Sequence, residues 1–351
     1  MQTRPYPRSW SNEKTRMTNH LLDVEDLKMY FPVYGGLLRR KIAQVFAVDG
    51  VSFSIRAGET LGLVGESGCG KTTVGRCILK LYNPTEGRVN FDGRNIFSLD
   101  RAAMRDVRRD MQIIFQDPYE SLNSRHTVQE ILEEPFVIHG ISTSAERQRR
   151  TRRLLDRVGL ARTALSRFPH EFSGGQRQRI GIARAIALEP RLIVCDEPVS
   201  ALDVSIQSQI LNLLLELQQD MGLTYLFIAH DLAVVKLISD YIAVMYLGKI
   251  MEKADAETIY RNPRHPYTQA LIAAIPVPDP LAKRRNQILG GDVPSPRNPP
   301  SGCCFRTRCP YAIDRCVVEE PLLDPVPGDS SSTHRVACHR VMDIPTIRDR
   351  I

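Results

Sequence analysis

A glycine-rich segment, residues 65–72, carries the clearest chemical signal in the sequence. It reads Gly-Glu-Ser-Gly-Cys-Gly-Lys-Thr and matches the pattern G-x-x-x-x-G-K-[ST]. Glycines let backbone N–H groups approach phosphate oxygens, and a helix that follows adds partial positive charge. We expect Lys71 to contact the β- and γ-phosphates of a nucleotide and the Thr72 hydroxyl to bind Mg²⁺; the alternative is an ordinary glycine-rich turn. The predicted nucleotide-binding residues here are Gly65, Glu66, Ser67, Gly68, Cys69, Gly70, Lys71, Thr72 and Thr73.

An acidic pair, Asp196-Glu197, follows a second apolar segment, Leu192–Cys195, which has the composition of a buried strand. A carboxylate at a strand end beside the phosphate loop can hold Mg²⁺ through water, and its neighbour can polarise the water that attacks the γ-phosphate. We therefore predict that Asp196 belongs to the metal site and that Glu197 is the general base. Acidic pairs alone often only cap the next helix, so this prediction depends on the glycine-rich loop.

Strands and helices must position both motifs. Thr60–Val64 is a short apolar strand and residues 71–81 are a predicted helix, which is the strand–loop–helix setting that the phosphate motif requires. A second predicted helix runs from Ser205 to Met221, and Gly222 is a natural end for it. From residue 21 to 255 short strands alternate with helices, which predicts an α/β domain, and a helical subdomain is expected at about residues 117–172.

Composition and charge exclude several classes of protein. The chain has 351 residues, of which 42% are hydrophobic and 25% charged, so it is an ordinary globular protein. No apolar run approaches the roughly 18 residues of a membrane span, and residues 1–20 form a polar tail without a secretion signal. Any membrane association is therefore expected through a partner. The net charge of +7 permits nucleic acid as a partner, but it is spread along the chain, and its densest run, residues 147–153, is interpreted as a solvated helix face.

A further motif, Phe172-Ser173-Gly174-Gly175-Gln176, follows the helical stretch. Here the sequence resembles the ATP-binding cassette (ABC) ATPases, whose signature is an apolar residue followed by Ser-Gly-Gly-Gln. The resemblance implies a P-loop NTPase core with a β-rich N-terminal part. It also implies a head-to-tail dimer, in which each ATP lies between the glycine-rich loop of one subunit and the signature of the other. The residues expected to contact the ATP of the opposing subunit are Ser173, Gly174, Gly175 and Gln176.

Other positions match residues with roles in that family. Gln116 matches a glutamine that links the Mg²⁺ site to the helical subdomain, and Asp203 matches an aspartate that contacts the opposing subunit. His230 matches the histidine that contacts the γ-phosphate and orients the catalytic glutamate. The resemblance thus implies Mg²⁺ ligation by Thr72, Gln116 and Asp196. Family members also stack an aromatic residue on adenine, for which the candidates, in order, are Tyr30, Phe31 and Phe46.

The resemblance covers about residues 21–340 and is strongest to the ATPase subunits of bacterial dipeptide and oligopeptide importers. The segments that carry it are Tyr30–Val33, Ala47–Phe53, Phe115–Asn123, Pro169–Arg179 and Asn262–Thr268. Such importers commonly pair two different ATPase subunits. The sequences of residues 172–179 and 195–200 look like those of the second, F-type subunit. This implies ATP hydrolysis with Mg²⁺, a second ATPase subunit in a hetero- or homodimer, and two permease subunits. It also implies an extracytoplasmic solute-binding protein and a place on the cytoplasmic face of the cell membrane.

Three other functions stay as alternatives. Nickel chelates and other small solutes are imported with similar subunits. A soluble ABC ATPase that acts on DNA or ribosomes is less favoured, because such members carry long coiled coils or two cassettes, and we expect no nucleic acid. A metal-sensing module would leave the hydrolytic residues without a purpose.

The last part of the chain, residues 256–351, is expected to be an extension rich in proline and cysteine. Eight cysteines in a chain without a secretion signal argue against a disulfide scaffold. Cys303, Cys309, Cys316 and Cys338 have the spacing C-x5-C-x6-C-x21-C and resemble four cysteines that hold a [4Fe–4S] cluster in some of these importers. Thiolates also suit zinc, and unliganded thiols are the third alternative. Cys304 is the expected non-ligand.

Overall fold

The structure is a computed structural model that describes residues 20–35, 40–141, 143–275, 290–329 and 333–345. The predicted polar tail, residues 1–20, lies outside the described residues except for His20. The extension contains a proline-rich segment, residues 276–300, of which Pro276, Pro278 and Pro280 lie outside the described residues as well.

The described residues form strands in two sheets and helices around them. The strands are β1 (His20–Gly35), β2 (Arg40–Arg56), β3 (Thr60–Val64), β4 (Glu86–Phe91), β5 (Arg94–Asn95), β6 (Met111–Ile114), β7 (Leu192–Asp196), β8 (Thr224–Ala229), β9 (Tyr241–Tyr246), β10 (Lys249–Asp255), β11 (Asp324–Pro325) and β12 (Arg335–Val336). The helices are α1 (Lys71–Ile78), α2 (Arg101–Asp110), α3 (Pro118–Ser121), α4 (Val128–Ile138), α5 (Ser144–Arg157), α6 (Gly174–Ile186), α7 (Val204–Met221), α8 (Leu232–Ile238), α9 (Ala256–Arg261), α10 (Pro266–Ala273) and α11 (Arg315–Val318).

The larger sheet has the order β11-β12-β10-β9-β3-β8-β7-β6. Its five strands from β9 to β6 are parallel to one another. Every residue of its central strands β3, β7 and β8 is buried, because both faces of the sheet are covered. On β8, for example, Tyr225 and Phe227 pack in one hydrophobic core, whereas Leu226 and Ile228 pack in the other. A smaller antiparallel sheet of order β2-β1-β4-β5 forms the N-terminal part. The predicted α/β fold with a β-rich N-terminal part is confirmed.

The parallel register brings the functional segments to one edge of the large sheet. Val64 at the end of β3 is paired with Ala229 of β8, and Asp196 at the end of β7 is paired with Ile228. The residues that follow these three strands therefore lie side by side. They are the glycine-rich loop, Glu197 and His230.

Helices α3, α4 and α5 follow β6 and precede α6, in the region where the sequence predicts a helical subdomain. Helix α4 begins with a capping box, in which the Thr127 side chain accepts the N–H of Glu130 and the Glu130 carboxylate accepts the N–H of Thr127. Phe136 and Leu155, both fully shielded, join α4 and α5 to the core. Among the helices that the structure describes, none combines the length and apolar character needed to cross a bilayer.

The C-terminal extension packs on the cassette and adds strands to its sheet. Glu252 and Lys253 of β10 pair with Val336 and Arg335 of β12. Phe305 is fully buried, with its ring 5.2 Å from that of Tyr246 and 5.4 Å from that of Tyr267. One continuous core therefore runs through both parts.

Candidate nucleotide-binding and catalytic site

The glycine-rich loop joins β3 to α1 and closes around its own lysine. Lys71 is only 4% exposed, and its Nζ donates to the backbone oxygens of Gly65 at 2.8 Å and Glu66 at 3.1 Å. The loop needs glycine where it touches other segments. Gly70 has φ +106°, and a Cβ there would lie 2.0 Å from the carbonyl oxygen of Ala47 on β2. An ammonium group enclosed by a backbone loop at a helix N-terminus is suited to a phosphate group.

Thr72 and Asp196 meet at the predicted metal site. The Thr72 hydroxyl donates to Asp196 Oδ1 at 2.8 Å. Asp196 is 2% exposed, and burial raises the pKa of its carboxyl, although the hydrogen bond from Thr72 acts in the opposite direction. A hydroxyl and a carboxylate in contact provide the oxygen ligands that Mg²⁺ prefers.

Glu197 lies between two side chains that the sequence analysis selected. Gln116, which follows β6, donates through Nε2 to Glu197 Oε2 at 3.2 Å. His230, which follows β8, has its Nδ1 at 3.2 Å from the same oxygen. Glu197 has φ +46°, a left-handed conformation that costs a non-glycine residue about 1–3 kcal/mol, and its N–H donates to Ile228 O at 3.0 Å. The fold thus holds this carboxylate in a strained position at the strand end.

The signature residues form the N-terminus of α6. The Ser173 hydroxyl accepts the N–H of Gln176 at 3.4 Å, and the Gln176 side chain accepts the N–H of Ser173 at 3.0 Å. A Cβ on Gly175 would lie 2.6 Å from Ile206 on α7, so the small residue allows the two helices to pack closely. Among the described residues, no hydrogen bond joins residues 173–176 to residues 65–73 of the same chain. Asp203 is exposed and precedes α7 without a capping hydrogen bond from its side chain.

The aromatic candidates for adenine stacking lie on β1 and β2. Tyr30 donates its hydroxyl to Asp49 Oδ1 at 2.5 Å, and its ring packs against that of Phe46 with centroids 4.8 Å apart. Burial and this hydrogen bond raise the pKa of the Tyr30 phenol. The Phe31 ring instead contacts Tyr82. Phe46 directly precedes Ala47, whose carbonyl touches the glycine-rich loop.

Four of the five clustered cysteines interact with one another. The pKa of Cys338 is raised to about 12, mainly by burial and in smaller part by the nearby thiols of Cys309, Cys303 and Cys316. Cys304 has a different environment, because its sulfur lies 3.7 Å from that of Met251. In the part of the chain that the structure describes, no three His, Cys, Asp or Glu side chains are arranged to hold a metal ion. The four sulfurs are therefore neighbours that do not close around a single ion.

Sequence analysis missed two residues at the glycine-rich loop. Tyr267 accepts the N–H of Glu66 through its hydroxyl oxygen at 2.9 Å, and Arg308 forms an ion pair with the Glu66 carboxylate at 2.7 Å. Both residues belong to the C-terminal extension and stand far from residue 66 in the sequence. The only sequence signal at these positions was their place in segments that resemble the importer family.

Comparison with known proteins places this geometry in a family. The model of the ABC transporter family matches residues 48–200, and the model of the oligopeptide/dipeptide transporter C-terminal region matches residues 251–316. The oligopeptide transport ATP-binding protein AppF of Bacillus subtilis is 53% identical over 322 residues, which cover 91% of this chain and 97% of the relative. The chain belongs to the ATP-binding proteins of the oligopeptide/dipeptide ABC transporters.

A second relative and a solved structure agree with this assignment. A putative peptide import ATP-binding protein of Brucella ovis is 55% identical over 321 residues, which cover 91% of this chain and 98% of the relative. The ATP-binding cassette MJ0796, solved as a dimer in a post-hydrolysis state with ADP and Pi, matches with a TM-score of 0.60 and 28% identity. That match covers 67% of this chain and 98% of the solved one. The chain is an ABC ATPase, with ATP and Mg²⁺ as the nucleotide and metal that this family uses.

Proposed function

We propose that this ABC ATPase hydrolyses ATP to drive a membrane importer of dipeptides and oligopeptides. The observation that carries the proposal is that Gln116 and His230 both contact one carboxylate oxygen of Glu197. The neighbouring residue, Asp196, is in contact with Thr72. These residues come from four separate segments of the chain, and each matches a family position. Two relatives are an oligopeptide transport protein and a putative peptide import protein by name, which supports peptides over nickel chelates.

The residues of the site have distinct roles in this proposal. Lys71 and the loop N–H groups, within residues 65–73, bind the phosphates, and Thr72, Gln116 and Asp196 hold the magnesium ion. When bound there, the ion would supply positive charge that offsets the negative charge of the phosphates. Glu197 takes a proton from the water that attacks the γ-phosphorus, while the bond to the bridging oxygen breaks and ADP leaves. His230 orients Glu197 and contacts the γ-phosphate.

The second half of the nucleotide site is proposed to come from another subunit. Ser173 to Gln176 present the N-terminus of α6, and Asp203 is exposed beside it, so both are accessible to a partner. The dimeric state of the solved cassette MJ0796 supports this arrangement. The partner is a second ATPase subunit, either another copy or the second member of a heterodimer.

For adenine, the contacts support Phe46 over Tyr30 as the stacking residue. The hydroxyl of Tyr30 is bonded to Asp49, whereas Phe46 adjoins the backbone that touches the loop at Gly70. The Tyr30 ring then acts as a support behind Phe46.

Two permease subunits are the proposed membrane partners, with a solute-binding protein outside the membrane. The helical subdomain, about residues 117–172, exposes large apolar side chains that a permease segment can cover. Tyr119 is 58% exposed and Val137 is 59% exposed. The proposed location of the chain is therefore the cytoplasmic face of the cell membrane.

The C-terminal extension is proposed to hold a [4Fe–4S] cluster on Cys303, Cys309, Cys316 and Cys338. Support comes from the mutual proximity of the four thiols and from the different environment of Cys304. Thiolates suit iron–sulfur clusters. Burial raises the pKa of Cys303 to about 11. Iron would bind the deprotonated, thiolate form of the cysteines.

The experiment that tests the function is turnover of purified Glu197→Gln protein. Loss of a general base costs about 10²- to 10⁴-fold in rate, so the variant should bind ATP, remain in a closed dimer and hydrolyse little. Glu216→Gln is the matched control, because Glu216 is an exposed residue on α7. Normal turnover of Glu197→Gln would refute the assignment of the base.

A further inference from the structure

The C-terminal extension contacts the glycine-rich loop through Arg308. The Arg308 guanidinium donates to both Glu66 carboxylate oxygens, at 2.7 and 3.1 Å. Only 7% of the Arg308 side chain is exposed, and it lies 5.8 Å from the centroid of the Tyr246 ring. A shielded, two-pronged ion pair of this kind holds its partners more firmly than a surface ion pair.

A second contact from the extension fixes the backbone of the same loop residue. The Tyr267 hydroxyl oxygen accepts the Glu66 N–H at 2.9 Å. Tyr267 is fully buried, and its ring packs against Tyr246 at 4.9 Å and Phe305 at 5.4 Å. The acceptor is therefore held by rings from both the cassette and the extension.

Glu66 links these contacts to the predicted phosphate site. Its carbonyl oxygen accepts from Lys71 Nζ at 3.1 Å, while its N–H is bonded to Tyr267 and its carboxylate to Arg308. The N–H that Tyr267 accepts belongs to the Gly65–Glu66 peptide, whose carbonyl oxygen also accepts from Lys71 Nζ, at 2.8 Å, so the orientation of this peptide sets where the lysine lies. The Glu66 carboxylate is also a negative charge within a loop that must accept negative phosphates, and Arg308 neutralises it.

The extension also reaches β2 beside the loop. The Phe46 N–H donates to the carbonyl oxygen of Pro296 at 3.0 Å. The extension thus contacts both the loop residue Glu66 and the strand that carries Phe46, the residue proposed for adenine stacking.

We propose that Arg308 and Tyr267 are positioning residues for the phosphate loop, so that the C-terminal extension forms part of the nucleotide site of its own chain. Arg308 neutralises Glu66, and Tyr267 orients the Gly65–Glu66 peptide, whose carbonyl oxygen accepts from Lys71 and so positions the lysine. This rests on the proposed binding of ATP at residues 65–73.

The test compares ATP binding and steady-state hydrolysis in Arg308→Ala, Glu66→Gln and the double variant. Arg315→Ala is the matched control, because Arg315 forms an exposed ion pair with Glu319 at 2.6 Å elsewhere in the extension. Binding is measured by calorimetry with ATP, well below the melting temperature of each variant. We expect Arg308→Ala to weaken ATP binding and raise KM about tenfold with kcat nearly unchanged, and the double variant to recover most of that loss. Arg315→Ala should bind as the unaltered protein does.

If Arg308 only attached the extension to the cassette, the result would be different. In that case Arg308→Ala would lower the melting temperature and the fraction of active protein, and with that fraction the apparent kcat. The KM and the ATP affinity of the folded protein would stay unchanged, and that result overturns the proposal. If Arg308→Ala does not fold, Tyr267→Phe keeps the ring and removes only the acceptor, and unchanged ATP affinity in it would also overturn the proposal. Failure of the unaltered protein to bind ATP would instead refute the proposed function.

Discussion

Replacing Phe305 by alanine should destabilise the whole cassette and not only the extension. Phe305 is fully buried between Tyr246 of β9 and Tyr267 of α10, and its ring is 5.5 Å from that of His265. Removing a buried phenylalanine ring typically costs about 3–5 kcal/mol, because the lost contacts leave a cavity that the rings around it fill only in part. The urea dependence is about 1–3 kcal/mol per molar in small proteins and larger in a chain of this size, so the unfolding midpoint should fall by roughly 1 M.

Urea titration followed by far-ultraviolet circular dichroism measures this effect. Val318→Ala is the control, because Val318 is 82% exposed on α11 and its truncation should change stability by less than about 0.5 kcal/mol. Both variants should unfold in one transition, since the extension and the cassette share a core. An early transition that melts only the extension, followed by a cassette transition at the unaltered midpoint, would refute the reasoning.

Three further predictions concern other parts of the molecule. His334 is completely shielded; burial opposes its charge, but hydrogen bonds to Glu252 and Asp329 prevail and raise its pKa. Its stabilising contribution is therefore complete below the unfolded pKa of about 6.5 and is lost as pH rises through the higher folded pKa. The melting temperature should fall more steeply with rising pH in the unaltered protein than in His334→Gln, and equal slopes would contradict this. Phe46→Ala should weaken ATP binding about tenfold, the size of a lost base–aromatic stack, and Tyr30→Phe should not; the reverse order in calorimetry would restore Tyr30 as the stacking residue. Protein purified without oxygen should contain about four iron and four sulfide per chain, and Cys304→Ser should retain them while Cys309→Ser loses them. Folded, metal-free protein from that preparation would remove the cluster.

Local sequence signals predicted the central strands and the phosphate loop well. β3 has the predicted bounds, and α7 begins one residue before the predicted Ser205 and ends at Met221, with Gly222 in the left-handed conformation at φ +64°. These elements are predictable because glycines and continuous apolar runs determine the structure of residues close to them in the sequence. Helix α1 ends at Ile78, earlier than the predicted residue 81, and Lys80 turns the chain with φ +50°.

Long-range pairing carried no local signal and was not predicted. The Glu66–Arg308 ion pair joins residues 242 positions apart, and neither side chain shows in its own neighbourhood that it will be buried. The same is true of β12, a strand of two residues that pairs with β10 and is too short to leave a periodic pattern. The family resemblance marked the segments in which these residues stand, but it said nothing of their contacts.

Strand β12 also has a consequence for solubility. By pairing with β10 it covers an edge of the large sheet, and among the described strands only β11, of two residues, lies beyond it. Exposed sheet edges are templates for association between chains, and short terminal strands protect against it. A chain cut within the proline-rich segment would uncover the backbone of β10 together with Tyr246 and Tyr267. Such a fragment, although it retains every nucleotide motif, should form aggregates when expressed alone.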